Sequence, residues 1–508
     1  MSLKYRPEID GLRSIAIIAV ILYHAEFVFS GFRLLKGGFI GVDVFFVISG
    51  YLITSIILRD MNEGNFSFAK FYERRARRIL PALFAVILVS IPFSWMYMLP
   101  KAVKEYTGSI LTTLVSSSNI WFWREESYWA ESSALKPFLH TWSLSVEEQF
   151  YLIFPITLLL LWKFLRSYIT PVLTLVLLLS LQLVHFGNSH FPGATFFLLP
   201  TRGWELLAGS ILANLELEKG RLSHPFLDNT MPAIGLFLIY NAIIFFNDEM
   251  LYSYITILPI LGTMLIIWFC KKGELISDIL GSKPFVAVGL ISYSLYLWHQ
   301  PIFAFARIKS MMSSDHQKVG LIVLSIILAI LTYFFIEKPM RNAKKVSLKK
   351  LVIFLSTFAV ILVLPLGYAF KNNGLWGRFK DWQLNVIGFD KTSPNPFTSS
   401  YEYVVNSEFI SHLNKNFSIN DRKRRLLIIG DSFAKDFFNI LKEAGLLKGI
   451  DVSTHHIPWV CLNTPDIPNI NDFISKKDIV QCQNTVRIGN DFLNKYLSQA
   501  DFIIVASE

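Results

Sequence analysis

Eleven long apolar stretches constrain this chain more than any other feature of its sequence. They lie at 11–29, 39–58, 79–99, 144–162, 171–186, 201–215, 231–247, 254–270, 285–306, 318–337 and 350–370. A helix needs about 20 apolar residues to cross the roughly 30 Å hydrocarbon layer of a bilayer, and these stretches reach or approach that length. Hydrophobic residues make up 53% of the 508 and charged residues only 17%, which excludes a disordered chain, a coiled coil and a disulfide-stapled secreted domain. We predict a polytopic α-helical membrane protein with about ten core helices plus one additional span.

The basic residues between the stretches predict how the chain is oriented. The net charge is +10, and Lys and Arg cluster in alternate connecting segments, at 59–78, 163–166, 219–221, 271–272 and 338–350. The segment at 247–252, on the other side, has neither. Because cytoplasmic loops carry the excess of Lys and Arg, we expect a cytoplasmic N-terminus. The first stretch is too long for a cleavable signal and lacks a small-residue cleavage site, so we expect it to be retained. The odd number of spans then places everything after about residue 371 in the periplasm.

The composition changes after the last apolar stretch. A linker at 376–425 is rich in Asn, Ser and Pro, and a short apolar strand then leads into Gly430-Asp-Ser432, a helical pattern at 433–444 and further strands near 452 and 502–505. Strand, helix and strand in this order indicate a parallel α/β layer. We therefore divide the chain into a transmembrane domain (1–340), a linker with the eleventh span (341–375), a periplasmic linker (376–425) and a partial, truncated α/β domain (426–508).

The first span carries two polar residues on one face. Arg13 and His24 are eleven positions apart, which turns a helix by about 1100° and separates them by about 16 Å along the axis. An intramembrane histidine is uncommon and is a functional hypothesis by default, although a core histidine bonded across helices is the alternative. At the start of the third span, Arg74, Arg75 and Arg78 belong to a cluster of four arginines. They act either as anchors on the cytoplasmic side or as a clamp for anions, which guanidinium groups bind bidentately.

Further ionisable residues fall within or beside the apolar stretches. They are Asp43, His140, Glu147, Arg202, Glu205 and His299. Each alone is explained by a hydrogen bond between helices. Together they are too many for that explanation, and they predict a polar cavity within the bundle. Their spacing, and that of the three cysteines, matches no metal site, and we expect no metal.

Several long motifs in order carry a family resemblance. These are 5–16 (YRPEIDGLRSIA), 41–53 (GVDVFFVISGYLI), 71–81 (FYERRARRILP), 142–152 (WSLSVEEQFYL) and 292–301 (SYSLYLWHQP). They resemble the membrane-bound acyltransferase-3 family over about residues 1–340. The eleventh span and the Gly-Asp-Ser tail resemble members with a C-terminal SGNH domain, which O-acetylate lipopolysaccharide O-antigen and other surface glycans. The resemblance implies acetyl-CoA as the cytoplasmic donor and, as acceptor, a hydroxyl of a surface polysaccharide or its lipid-linked precursor.

The resemblance also implies roles for individual residues. Arg13, Arg74, Arg75 and Arg78 would bind the phosphates of coenzyme A, and the pantetheine arm would run along the first span to His24 in a single passage. His24 would act as general base, with Glu147 or Asp43 orienting it. The remaining polar residues would line the cavity for the acceptor, namely His140, Arg202, Glu205 and His299. Partners other than the donor, the glycan and membrane lipid, such as nucleic acid, are not expected.

The tail departs from the family pattern. Ser432 matches the SGNH nucleophile, although Asp-Ser is also an ordinary helix N-cap. The Asp-x-x-His block is missing before Glu508, so we expect the tail as given not to form a competent esterase-type site. Either the chain is a fragment or acetyl transfer ends at the membrane domain. Cys461 and Cys482 lie in the same region, where they either pair as a disulfide or remain free thiols.

Two alternatives remain open at this point. The acceptor is most simply O-antigen, with peptidoglycan or another exported glycan as the alternative. A polytopic transporter or flippase is the alternative from a different class, because about eleven spans around a polar cavity fit it equally well on physical grounds. Turnover of a thioester would distinguish the enzyme from the transporter.

Overall fold

The chain divides into two units, Met1–Leu375 and Trp376–Glu508. The computed structural model describes residues 5–29, 32–125, 133–221, 223–247, 254–380, 409–418, 423–457 and 491–506. Within the first unit, the described residues are almost entirely helical. The only strands among them are β1 (Val28–Phe29) and β2 (Phe32–Arg33), which pair antiparallel at the end of the first helix.

The helices of the first unit follow one another with short connections. They are α1 (Pro7–Ala25), α2 (Gly41–Asn62), α3 (Phe68–Tyr97), α4 (Pro100–Leu114), α5 (Ser118–Glu125), α6 (Thr141–Phe164), α7 (Ile169–His190), α8 (Pro192–Phe197), α9 (Leu199–Lys219), α10 (Pro225–Phe245), α11 (Ile257–Phe269), α12 (Leu275–Leu280), α13 (Lys283–Ile308), α14 (Asp315–Thr332), α15 (Lys338–Arg341) and α16 (Leu348–Lys371). A π-helical turn, Tyr333–Glu337, joins α14 to α15.

Each of the eleven apolar stretches of the sequence coincides with a helix. In the described part of the chain, seven helical segments are long and apolar enough to cross a membrane, and α11 is an apolar helix of 13 residues. The helices α1, α9 and α13 also coincide with predicted spans, but they carry the charged residues Arg13, Arg202 and Arg307. The chain is thus a multi-pass membrane protein in which the more polar helices lie inside the bundle.

Glycines allow the central helices to approach closely. A Cβ on Gly50 of α2 would lie 1.9 Å from the carbonyl oxygen of Leu206, and one on Gly209 of α9 would lie 2.0 Å from that of Val47. Small residues at helix contacts are the usual means of close packing within a membrane, where lipid supplies no hydrophobic force between helices. The contact fixes the register of α2 against α9. A similar contact, between Gly289 and the backbone of α1, fixes α13 beside α1.

The second unit contains a small parallel sheet. Its strands are β3 (Arg424–Gly430), β4 (Ile450–His456) and β5 (Phe502–Ala506), in the order β4-β3-β5, with α17 (Ser432–Glu443) after β3 and α18 (Asp491–Gln499) before β5. These are the strands and the helix that the sequence predicts. Gly430 has a φ of +148°, and a Cβ there would lie 1.8 Å from the carbonyl oxygen of Ala506, so only glycine fits this turn.

Candidate active site

Three arginines line a cavity at the amino-terminal ends of α1 and α3. Arg13 of α1 and Arg75 and Arg78 of α3 face it, together with Glu147 of α6, and its volume is about 100 Å³. We call it the arginine cavity. Its remaining walls come from α2 and α13, so five separate helices build it.

Two of these arginines have no carboxylate partner among the residues that the structure describes. Neither Arg75 nor Arg78 makes a hydrogen bond or ion pair among the described residues, whereas Arg13 lies 3.3 Å from Asp10. The guanidinium of Arg75 stacks 5.1 Å from the centre of the Tyr151 ring. Glu147 accepts hydrogen bonds from Ser49 (2.9 Å) and Tyr151 (3.0 Å) instead of pairing with an arginine. Cations held beside a cavity without an acceptor favour an anionic ligand.

The neighbouring arginines of α3 do not reach the cavity. Arg74 is half exposed and forms an ion pair with Asp60 at 3.0 Å. Arg77 is buried and is held by Glu73 at 2.7 Å. Arg74, which the sequence assigns to the phosphates of coenzyme A, therefore lies outside the lining of the arginine cavity and is held by Asp60 instead.

A second cavity lies at the carboxyl-terminal end of α1. His24, Asp43, His140 and Arg202 line it, and its volume is about 470 Å³. We call it the histidine cavity. Arg307 of α13 also lines it, and its guanidinium donates a hydrogen bond to the backbone carbonyl of His24.

His299 determines which nitrogen of His24 is basic. Nδ1 of His299 lies 2.6 Å from the carbonyl oxygen of Tyr296, and because a carbonyl only accepts, this nitrogen carries the proton. Nε2 of His299 is then an acceptor, and it lies 3.3 Å from Nδ1 of His24. His24 donates through Nδ1, so its Nε2 keeps the lone pair.

The expected partners of His24 are therefore corrected. Glu147 lies on the arginine cavity and Asp43 is paired with Arg202, and neither forms a hydrogen bond with His24 among the described residues. His299 takes that position. It is fully buried behind the cavity rather than lining it as the sequence predicted, with its ring centre 5.2 Å from that of His24.

Two buried polar groups in the histidine cavity are available to a ligand. His140 precedes α6 and is 4% exposed, and neither of its ring nitrogens makes a hydrogen bond of normal geometry within the described residues. Gln300 donates to the carbonyl oxygen of Lys136 at 3.2 Å, while its Oε1 is left without a donor in the same set. Buried polar groups are usually satisfied, so these two indicate a polar ligand.

A buried ion network supports the wall of this cavity. Arg202 pairs with Asp43 and, at 3.1 Å, with Glu205. Asp43 and Arg202 line the cavity, but Glu205 is fully buried behind them, so its predicted position in the lining is wrong. The guanidinium also lies 5.6 Å from the centre of the Trp142 ring. The close contact between α2 and α9 places the two helices so that these charges meet.

The two cavities adjoin at two side chains. Val42 of α2 and Tyr296 of α13 line both of them. The sequence predicted one continuous passage between the arginines and His24, and the structure has two cavities there that share these two side chains. Sequence reasoning missed Tyr296 and Gln300, although both lie in the 292–301 motif; Tyr296 lies three positions before His299 and therefore shares its helix face.

The candidate site in the tail is only partly described. Ser432 begins α17, and its side chain lies outside the described set, as do Cys461 and Cys482. Asp431 caps the helix, since its Oδ1 accepts the backbone N–H of Phe433 at 2.9 Å. His456 aligns with Gly430 across the sheet, and burial lowers the pKa of its imidazole.

Membrane-spanning helices that enclose a cavity lined by arginines and a second cavity lined by histidines define a multi-pass membrane protein with a candidate group-transfer site. A family model described as an acyltransferase domain, of the acyltransferase-3 type, matches residues 6–336. The chain belongs to the acyltransferase-3 family, whose members are acyltransferases, and this membership replaces the transporter alternative.

Curated relatives agree with the family. The chain is 33% identical over 361 residues to a peptidoglycan O-acetyltransferase, OatA, of Listeria monocytogenes, which covers 67% of this chain and 56% of the relative. It is 33% identical over 365 residues to a putative peptidoglycan O-acetyltransferase, YrhL, of Bacillus subtilis, covering 67% and 55%. It is 32% identical over 383 residues to an O-acetyltransferase, OatA, of Staphylococcus aureus, covering 71% and 62%. The matches thus span little more than half of each relative. No solved structure matches the chain.

Proposed function

We propose that this protein is an O-acetyltransferase that moves an acetyl group from acetyl-CoA to a hydroxyl of a bacterial surface glycan. The observation that carries the proposal is the basic Nε2 of His24 in a cavity that adjoins three cavity-facing arginines. The sequence ranked lipopolysaccharide O-antigen first as the acceptor. Because two of the relatives are named for peptidoglycan, we now propose peptidoglycan ahead of O-antigen.

The arginine cavity suits the donor. Coenzyme A carries phosphate groups, and the planar guanidinium groups of Arg75 and Arg78 present paired donors that match phosphate oxygens. Both lack protein acceptors in the described part of the chain, so a phosphate would supply what they lack. The excess of Lys and Arg at the same ends of the helices supports a cytoplasmic position for this cavity, in the inner membrane, where acetyl-CoA is available.

His24 supplies the proton transfer. Its Nε2 accepts the proton of the acceptor hydroxyl while the hydroxyl oxygen attacks the thioester carbonyl. The carbon–sulfur bond then breaks, and the imidazolium returns the proton to the departing sulfur, which leaves as the thiol of coenzyme A. General base catalysis of this kind contributes about 10²–10⁴ in rate. His299 holds the ring of His24 with Nε2 free for this purpose.

The histidine cavity suits a hydroxyl-bearing acceptor. A sugar hydroxyl both donates and accepts, and the ring nitrogens of His140 and Oε1 of Gln300 offer both kinds of partner. In this proposal the cavity opens towards the periplasm, and the tail is a periplasmic SGNH-like domain. Ser432 is the candidate nucleophile of that domain for onward transfer.

The test compares two histidine variants. His24→Ala removes the base, and His316→Ala removes an exposed histidine of α14 that lines neither cavity. Both are expressed in cells that lack the native protein, their membrane levels are matched, and acetylated glycan is measured by mass spectrometry. We expect acetylation to be lost with His24→Ala and kept with His316→Ala.

Acetylation at the normal level by His24→Ala would overturn the proposed base. Release of coenzyme A thiol from acetyl-CoA by the purified wild-type protein tests the donor separately. Peptidoglycan and lipopolysaccharide from the same cells are analysed in parallel, so that the acetylated fraction identifies the acceptor.

A further inference from the structure

The boundary between the two cavities consists of Val42 and Tyr296. These two residues line both the arginine cavity and the histidine cavity, and both are partly accessible rather than fully buried. An acetyl group bound through the arginines must pass this boundary to reach His24. Nothing in the transfer chemistry itself requires a tyrosine at this position, so its role must be sought in what it holds in place.

Hydrogen bonds hold the Tyr296 ring across the boundary. Its hydroxyl lies 2.6 Å from Oγ of Ser143 and donates to the carbonyl oxygen of His140 at 2.8 Å. The side chain of one helix, α13, is thereby tied to the start of another, α6. The ring also lies 6.5 Å, centre to centre, from that of Phe45 on α2. Three helices therefore meet at this one side chain.

Rotation of this side chain would connect the cavities. If the hydroxyl leaves Ser143 and His140, the ring can turn away from Val42, and the opening stays bounded by the packed helices α2, α6 and α13. A two-carbon acyl group needs little of this space. Each further methylene must displace packed side chains, which close-packed interiors resist.

We propose that Tyr296, together with Val42, is the specificity-determining residue for the acyl group. The Tyr296 side chain closes the boundary when no thioester is present. When it is displaced, the opening is wide enough for an acetyl group but too narrow for longer acyl chains. This inference rests on the proposed acyl-CoA activity. It goes beyond that activity by assigning the choice of acyl chain to a residue that contacts neither the phosphates nor the base.

The experiment measures the chain-length preference of the purified protein in lipid nanodiscs. Release of coenzyme A thiol is followed with acetyl-CoA, propionyl-CoA and butyryl-CoA in the presence of a glycan acceptor. Tyr296→Ala opens the boundary, and we expect the ratio of kcat/KM for propionyl-CoA over acetyl-CoA to rise about tenfold or more, the usual effect of one methylene in an apolar site. Tyr296→Phe keeps the ring but loses both hydrogen bonds, and we expect an intermediate rise.

Two further variants complete the test. Val42→Phe narrows the boundary from the other side, and we expect acetyl turnover to fall. Tyr106→Phe is the matched control, because the hydroxyl of this buried tyrosine of α4 bonds to Ser90 and its side chain lines neither cavity. Its chain-length ratio should equal that of the wild type.

The outcomes separate the two proposals. Wild-type turnover of acetyl-CoA with unchanged ratios in both Tyr296 variants would overturn the specificity role and leave the proposed function standing. Val42→Phe at the wild-type rate would overturn it as well. Absence of thiol release by the wild-type protein with every donor would overturn the proposed function and this inference together.

Discussion

Replacing Arg202 by leucine tests the buried ion network most directly. Arg202 is the cation that pairs with both Asp43 and Glu205, whose side chains are 3% and 0% exposed. Leucine fills much of the space but leaves two carboxylates facing each other without that cation. The close contact of α2 with α9 prevents them from moving apart.

The magnitude follows from the cost of an unpaired buried charge. Removing one partner of a buried ion pair costs about 3–5 kcal/mol of stability, whereas replacing a whole buried network by neutral groups is often neutral or stabilising. We therefore expect Arg202→Leu to lose about 3–5 kcal/mol of the free energy of unfolding. The triple variant Arg202→Leu, Asp43→Asn, Glu205→Gln should recover most of the loss, because no charge remains buried.

The assay is thermal unfolding of the purified protein in one detergent, followed by tryptophan fluorescence. Arg74→Leu is the control: its ion pair with Asp60 is half exposed, and such pairs contribute about 0–1 kcal/mol. A single Arg202→Leu variant as stable as the wild type would refute the reasoning. So would a triple variant that is no more stable than the single one.

Three further predictions concern donor binding, the base and helix packing. Arg75→Ala should raise the Kd for acetyl-CoA roughly 10- to 100-fold, which is the effect of losing one charged hydrogen bond. Arg74→Ala should leave this Kd nearly unchanged. Equal effects of the two variants, measured by calorimetry, would contradict the cavity assignment. His299→Phe should lower kcat about tenfold or more with little change in KM. His299→Gln keeps a hydrogen-bond acceptor for His24 and should retain more activity. Equal kcat values for the two variants would contradict a positioning role for His299. Gly209→Leu should lower the unfolding temperature, because a Cβ at this position would lie 2.0 Å from the α2 backbone. Gly320→Leu should not lower it, because the space around Gly320 is open. Similar unfolding temperatures for the two variants would contradict the close packing of α2 against α9.

Much of the site was predictable from local sequence. The spacing of Arg13 and His24 places them on one helix face, and in the structure each lines a cavity along that face. The cluster on α3 indicated an anion site, but the sequence could not choose among its arginines. Arg74 forms its ion pair with Asp60, and the rotation of α3 relative to α2 decides this. That rotation depends on side-chain packing and not on any local pattern.

Contacts distant in sequence were beyond prediction from the chain alone. His299 meets His24 across 275 positions, a pairing set by the register of α13 against α1. The family resemblance implied that Glu147 orients His24, yet Glu147 lines the other cavity. Polarity indicates that a residue needs a partner, but it does not say which partner the packing supplies.

The amino-acid order by itself determines that this protein crosses a membrane many times and that its family is acyltransferase-3. Apolar stretches of this length have no other stable location, and the motifs stand in one order along one chain. The tertiary structure alone decides that the polar residues form two cavities instead of one, divided at Val42 and Tyr296. The physical reason is that helix register, set by glycine contacts and hydrogen bonds between distant residues, determines which side chains face each other.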